Sequence, residues 1–167
     1  MAAFSELETL NPAQREAVLH TGGPLLILAG AGSGKTRVIT VKIAWLIREL
    51  GVSPYSILAV TFTNKAAGEM RERAAAIEPS ASETMIRTFH SFGAWLLRRN
   101  AGTAGLASGY SIYDDDDAIS LLRTIYPDEH RGTLAAYARL ISRAKDYTLR
   151  PDDDLSEVTP DPEFAEI

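Results

Sequence analysis

Leu25-Leu26-Ile27-Leu28-Ala29-Gly30-Ala31-Gly32-Ser33-Gly34-Lys35-Thr36 is the stretch on which the fold turns. Four apolar residues run into a glycine-rich turn, and the turn opens onto a segment whose apolar residues recur at helical spacing. The order strand, turn, helix puts Lys35 and Thr36 at a helix mouth, where backbone N–H groups without intrahelical partners can wrap a phosphate. In such a loop the lysine reaches the β- and γ-phosphates and the threonine hydroxyl meets Mg²⁺. Ala29, Gly30, Ala31, Gly32, Ser33, Gly34, Lys35 and Thr36 therefore predict a nucleoside triphosphate site, with Lys35 as its catalytic grip and Thr36 as its metal ligand. The usual first glycine is Ala29 here, and a small residue still fits the start of the turn.

Upstream, Asn11-Pro12 reads as an N-cap and first helical residue, opening a short helix to about His20 that Thr21-Gly22-Gly23-Pro24 breaks. A strand is expected at about 24–29. The next helix runs from about Gly34 to Leu50, with Val38, Val41, Ala44, Trp45 and Ile47 as its apolar stripe and Gly51 as its C-terminal cap. Ser56–Phe62 reads as a second buried strand, Asn64 to about Ile77 as a helix, Met85-Ile86-Arg87 as a short strand, and His90 to Asn100 as a helix. Strands alternating with helices at these lengths predict a parallel sheet covered on both faces. After Asn100, Ala101-Gly102-Thr103-Ala104-Gly105 looks like a linker. Helices follow at about Asp115–Tyr126 and Thr133–Tyr147, and the acidic, proline-containing tail from Arg150 to Ile167 reads as loop.

Composition narrows the class. The chain has 167 residues, 46% of them hydrophobic, and no cysteine, so neither a disulfide framework nor a thiolate metal site is available. No apolar run approaches membrane-spanning length, and the N-terminus lacks the layout of a signal peptide, so a cytoplasmic protein with no membrane partner is expected. The net charge of −5 hides an asymmetry. Residues 1–100 carry 11 Lys+Arg against 8 Asp+Glu, a balance of +3; residues 101–167 carry 6 against 14, a balance of −8. A locally basic face suffices to bind nucleic acid, so the acidic total does not exclude it. Residues 1–100 contain no Asp, and a complete ATPase of this type needs an acidic residue on a neighbouring strand to hold Mg²⁺.

Other candidates divide between chemistry and architecture. A Gln14 amide can pair with both edges of adenine, but a glutamine on a short helix is more often a solvated residue. Thr61-Phe62-Thr63-Asn64-Lys65 closes the second strand, and ligands of open parallel sheets gather at the carboxyl ends of strands. Phe62 could stack on a base and Asn64 could meet a phosphate; core packing and helix capping explain them equally well. Thr88-Phe89-His90-Ser91-Phe92 repeats the pattern after the third strand. Its aromatics fit a core, and His90 beside Ser91 lacks the orienting acid of a hydrolase, so polar contact with a nucleic-acid backbone is the better functional reading. Asp114–Asp117 surround a helix start, where the dipole favours negative charge without any metal.

In order along the chain, these segments resemble the N-terminal part of the UvrD/Rep/PcrA-type superfamily I DNA helicases. Leu10-Asn11-Pro12-Ala13-Gln14 is similar to their Q motif, Ala29–Thr36 to motif I, Val60–Arg73 (VTFTNKAAGEMRER) to motif Ia and Thr88–Ser91 (TFHS) to motif Ib. The helical remainder looks like the start of the inserted 1B subdomain, with Ile141-Ser142-Arg143-Ala144-Lys145 a weaker match. The resemblance implies an α/β fold: part of a RecA-like P-loop NTPase sheet flanked by helices over residues 1–100, then a small all-helical segment with an acidic tail over 101–167. It implies that Gln14 reads adenine, Lys35 grips phosphate, Thr36 ligates Mg²⁺ and Arg37 approaches the nucleotide. Phe62, Asn64, Thr88, His90 and Ser91 would line a single-stranded DNA track.

The family's Mg²⁺-binding Asp-Glu motif, its catalytic arginines and its second motor domain would lie beyond residue 167. The expectation is an ATP- and Mg²⁺-using helicase fragment, partnered by single-stranded DNA and the remaining helicase domains, and inactive alone. A non-catalytic nucleotide- or DNA-binding module acting through a partner is the alternative. A small kinase would need an arginine-rich lid that the sequence lacks. Later sheet strands would also be missing, leaving an edge free to associate.

Overall fold

The computed structural model describes residues 4–160, which are helix-rich around a small two-stranded parallel sheet. The chain divides into two compact units, Met1–Ser108 and Gly109–Ile167.

In the first unit, α1 (Pro12–Leu19) starts as its sequence predicts. The Asn11 side chain accepts from the Gln14 N–H, the Gln14 side chain accepts from the Asn11 N–H, and Pro12 occupies the first turn. Its last carbonyls are met from α2 (Lys35–Arg48): the Lys42 ammonium donates to Ala17 and Val18 at 3.0 and 3.2 Å, and also to His20. Burial pushes that ammonium below its ordinary value, and the three carbonyls compensate for the water it loses. Val18, Val38, Val41, Ala44 and Trp45 pack with Phe4 and Leu10 into one core cluster. Gly51 adopts φ +64° just past α2, a left-handed turn that brings the Val52 N–H to the Leu46 carbonyl.

The sheet consists of β1 (Leu58–Thr61) and β2 (Met85–Thr88), parallel, with Leu58 opposite Met85 and Thr61 opposite Thr88. Between them runs α3 (Asn64–Ile77), and α4 (Phe89–Arg99) follows β2 directly. Side chains alternate across a strand, so Ala59 and Ile86 share a buried face. They pack there with Ile43, Ala67, Met70, Ala74 and Ala81 in a second core cluster. Arg48 ties α2 to the end of α3, its Nε 2.9 Å from Glu78 Oε2, with its guanidinium 5.4 Å from the Phe4 ring centroid.

Two expectations need correction. The strand expected at 24–29 is irregular and unpaired: the described ladder runs only between β1 and β2. Leu25 and Ile27 line a groove with Val38, Ile43 and Leu58, while Leu26 and Leu28 stand 81% and 86% exposed. A continuous apolar run suits a buried strand, but a strand exists only where a neighbour completes its hydrogen bonds. The second correction concerns α4, expected to bury its aromatics. None of its residues is fully buried, and Phe89 is 51% exposed.

In the second unit, α5 (Asp115–Ile125) and α6 (Arg131–Asp146) pack through Ile119, Leu122 and Leu134. The aspartate run caps α5: Asp114 accepts from the Asp117 N–H, Asp117 accepts from the Asp114 N–H, and Asp116 pairs with Arg131 at 2.6 Å. These carboxylates are spent on the helix start and on one ion pair, as the dipole argument requires. The tail is irregular through Pro160, with Val158 buried; the rest of the expected loop, 161–167, lies outside the described residues.

Candidate functional site

The first site is the turn before α2. Gly32 and Gly34 sit at φ +74° and +86°, a backbone that L side chains rarely adopt. At Gly34 there is a second reason for glycine, since a Cβ would stand 2.8 Å from Gln14 Nε2. The Ser33 hydroxyl donates to the Gly30 carbonyl at 2.8 Å and braces the turn from within. Lys35 folds over it, its ammonium 2.8 Å from the Ala29 carbonyl and 2.6 Å from that of Gly30.

Donors remain available around this cation. Among the described residues, no hydrogen bond engages the N–H groups of Gly32, Gly34, Lys35 or Thr36, nor the Thr36 hydroxyl. A run of unpaired N–H groups at a helix start, beside an ammonium held only by carbonyls, suits a polyphosphate. For Mg²⁺ the fit is thinner: Thr36 offers one oxygen, and the described residues contain no cluster of His, Asp or Glu that could hold a metal ion.

Gln14 belongs to this site by geometry. While its carbonyl oxygen closes the α1 capping box, its amide nitrogen donates to the Ser33 carbonyl at 3.0 Å. A glutamine side chain has two donor hydrogens and two lone pairs, so one of each stays open for a base edge. Arg37 points elsewhere: its guanidinium donates to the Thr9 hydroxyl at 2.7 Å. The structure thus gathers Gln14 and residues 29–36, and ties Arg37 to the segment before α1.

The second candidate site lies at the carboxyl ends of β1 and β2. Because Thr61 and Thr88 are opposite each other, the residues that follow, Phe62 and Phe89, leave the sheet side by side. Their ring centroids are 5.6 Å apart, and Phe62 is 86% exposed. Two large rings turned to water, already paired, form a surface on which a flat base can stack. Phe89 was not expected here; the repeat Thr61-Phe62 and Thr88-Phe89 is the signal in the sequence that points to it.

The polar candidates differ in how committed they are. Thr63, not Asn64, caps α3, accepting from the Ala66 N–H at 3.1 Å, and no hydrogen bond among the described residues holds the Asn64 amide. Thr88 and Ser91 are engaged with each other: the Thr88 hydroxyl accepts from the Ser91 N–H, the Ser91 hydroxyl accepts from the Thr88 N–H, and their oxygens are 3.0 Å apart. They form the capping box of α4, and Thr88 is buried. His90 is exposed on the first turn of the same helix.

A glycine turn before a helix, with a two-stranded parallel sheet and helices around it, defines the class: part of an α/β domain. Residues 10–166 match the family described as UvrD/REP helicase N-terminal domain, and the chain belongs to that family. It is 50% identical over 125 residues to the ATP-dependent DNA helicase PcrA of Bacillus subtilis, covering 74% of this chain and 17% of that protein. It is 46% identical over 161 residues to the ATP-dependent DNA helicase UvrD1 of Mycobacterium bovis, covering 93% and 21%. With the PcrA of Staphylococcus aureus it shares 42% identity over 158 residues, covering 92% and 22%. The chain spans about a fifth of the length of the curated relatives it matches.

Proposed function

We propose that this chain is the ATP-binding, single-stranded-DNA-contacting N-terminal portion of an ATP-dependent DNA helicase. The observation that carries the reading is the convergence of Gln14 and Lys35 on one glycine turn where the N–H groups of Gly32, Gly34, Lys35 and Thr36 have no partners among the described residues, in a chain of the UvrD/REP family. Residues 1–100 supply the RecA-like nucleotide portion and 101–167 a helical 1B-like segment. Lys35 moves from the Ala29 and Gly30 carbonyls onto the β- and γ-phosphates, the loop N–H groups hold phosphate oxygens, and Gln14 presents its free donor and acceptor to adenine. Thr36 would hold Mg²⁺ through its hydroxyl, and the chemistry supplied there would be charge neutralisation on the phosphate oxygens. Phe62 stacks a base, with Asn64 and His90 as polar contacts and Thr88 and Ser91 shaping the helix start beneath them.

On its own the chain grips ATP without turning it over. Residues 1–100 contain no aspartate to share Mg²⁺ with Thr36, and phosphoryl transfer depends on charge stabilisation from several sides at once. The test is phosphate release by the 167-residue chain with and without oligothymidylate, expected at background in both. DNA-stimulated release that Lys35→Ala abolishes would overturn the inactivity. A binding module acting through a partner is the second reading, supported by the exposed Phe62–Phe89 pair. Calorimetry separates the two: DNA affinity that shifts when ATP is present supports the helicase portion, and tight DNA binding indifferent to ATP supports the module.

A further inference from the structure

A cleft of about 500 Å³ opens beside the far edge of β2, lined by Asn64, Arg71, Thr84, Arg87 and Ser91 among others. From it we infer a seat for one backbone phosphate of the single strand, built on Arg87, which neither the family motifs nor the aromatic pair assigns, with Arg71, inside the Val60–Arg73 stretch but given no role there, as its second cation. The inference rests on the DNA-contact reading above and adds its electrostatic anchor.

Three features carry it. First, the two guanidiniums differ in how they are held. Arg71 Nη2 donates to the Ile86 carbonyl at 2.7 Å, blunting the free edge of β2 and fixing the guanidinium at the wall of the cleft. Arg87 has no ion pair or side-chain hydrogen bond among the described residues, although it is half-buried on the strand. A guanidinium partly withdrawn from water and given no acceptor is suited to an incoming anion. Its planar fork matches phosphate oxygens in pairs.

Second, the cleft contains a buried polar atom with nothing to bond. Thr84 is 4% exposed and its hydroxyl finds no partner among the described residues. Leaving such a group unsatisfied is costly, and a small shift of the cleft wall around an oxygen-rich occupant would give it an acceptor. The acidic lining residue Glu83 accepts from the Tyr55 hydroxyl at 3.1 Å and keeps its charge, but two guanidiniums stand against that one carboxylate, so the cleft keeps a cationic balance.

Third, the cleft is continuous in sequence with the stacking surface. Arg87 precedes Thr88 and Phe89 on the same strand end, and Asn64 follows Phe62 by two residues. A nucleotide whose base lies on the rings therefore has its backbone within reach of Arg87. Stacking is tolerant of sequence and so is a phosphate contact, so the combination holds a single strand without reading it.

The test is fluorescence anisotropy of labelled oligothymidylate with the 167-residue chain across a salt series, with circular dichroism confirming that each variant is folded. Arg87→Gln is expected to weaken binding about tenfold at low salt and to reduce the slope of log K against log salt by about 0.7, the value of one single-strand phosphate contact. Phe62→Ala is expected to weaken binding with the slope unchanged. Side-chain Nε–Hε signals of Arg87 and Arg71, followed by NMR in the unmutated chain, are expected to shift with oligothymidylate and not with inorganic phosphate at the same ionic strength. Binding by the unmutated chain that Arg87→Gln leaves intact in affinity and slope overturns the inference and leaves the DNA reading standing. Arginine shifts produced equally by inorganic phosphate reduce the cleft to a free-phosphate site and overturn the strand assignment. No binding of oligothymidylate by the unmutated chain removes both.

Discussion

Two apolar runs of similar composition meet opposite fates in the first unit. Leu58-Ala59-Val60-Thr61 is a paired strand with Ala59 in the core, while Leu25-Leu26-Ile27-Leu28 is unpaired and 81–86% exposed at Leu26 and Leu28. The second run is the more hydrophobic. What separates them is a partner: β1 has β2 in register along its whole length, and no described strand pairs with residues 24–29. An apolar run marks a candidate strand, but hydrogen-bond partners make one.

The largest expected difference between the two regions is in stability. Ile86, 1% exposed and opposite Ala59, anchors the paired sheet, and Ile86→Ala should destabilise the first unit by about 3 kcal/mol. Leu28→Ala, on the exposed run, should change it by less than about 0.5 kcal/mol. Urea unfolding followed by tryptophan fluorescence reads this unit alone, because Trp45 and Trp95 are its only tryptophans and the other unit has none. Equal costs for the two substitutions would mean that residues 24–29 are packed as tightly as β2.

The turn that follows the unpaired run, and the residue that precedes β2, sharpen the contrast. Gly34→Ala forces a side chain into a left-handed backbone and against Gln14, so a cost of about 1–2 kcal/mol is expected, along with weaker ATP binding. Gly30→Ala in the same turn meets nothing within 4 Å and should cost only a few tenths of that. At the start of β2 the sign reverses. Thr84→Val removes a buried hydroxyl without a partner and should raise the stability of the free chain by up to about 1 kcal/mol. A loss in thermal melting would show that the hydroxyl is satisfied.

The smallest effect is one of pH. Hydrogen bonds from Ser80, and then from Arg48, hold the Glu78 carboxyl below its ordinary value of 4.5. Because the folded value is the lower one, this contribution is complete above about pH 4.5 and is lost as pH falls through the folded value. Glu78→Gln should flatten the stability profile in that acid window and leave it unchanged at neutral pH. The group is near the surface, so a small change is expected, read by denaturation at a series of acid pH values.

Local chemistry was the most legible layer. Asn11-Pro12 announced α1, Gly51 marked the end of α2, and the aspartate run marked the start of α5, because each is decided by hydrogen bonds within a few residues. Helix caps one residue off, Thr63 in place of Asn64, show the resolution of that reading. What sequence could not give was anything set by a partner far along the chain. The pairing of 24–29 is one case. The exposure of Phe89 is another, since helical spacing marks an apolar stripe but not whether a surface covers it. At the glycine turn the grouping of residues 29–36 followed from their order. The Gln14 contact spans 19 positions and emerged only when the turn and α1 were placed together.

The central claim is that the turn from Ala29 to Thr36 is a working grip for ATP in this chain. Isothermal titration of the 167-residue chain with Mg·ATP, beside Lys35→Ala, tests it most directly. The account predicts one-to-one binding by the unmutated chain and at least a tenfold loss in Lys35→Ala, with both proteins equally folded by circular dichroism. Binding that Lys35→Ala leaves unchanged, or no heat and no binding in the unmutated chain, would contradict it.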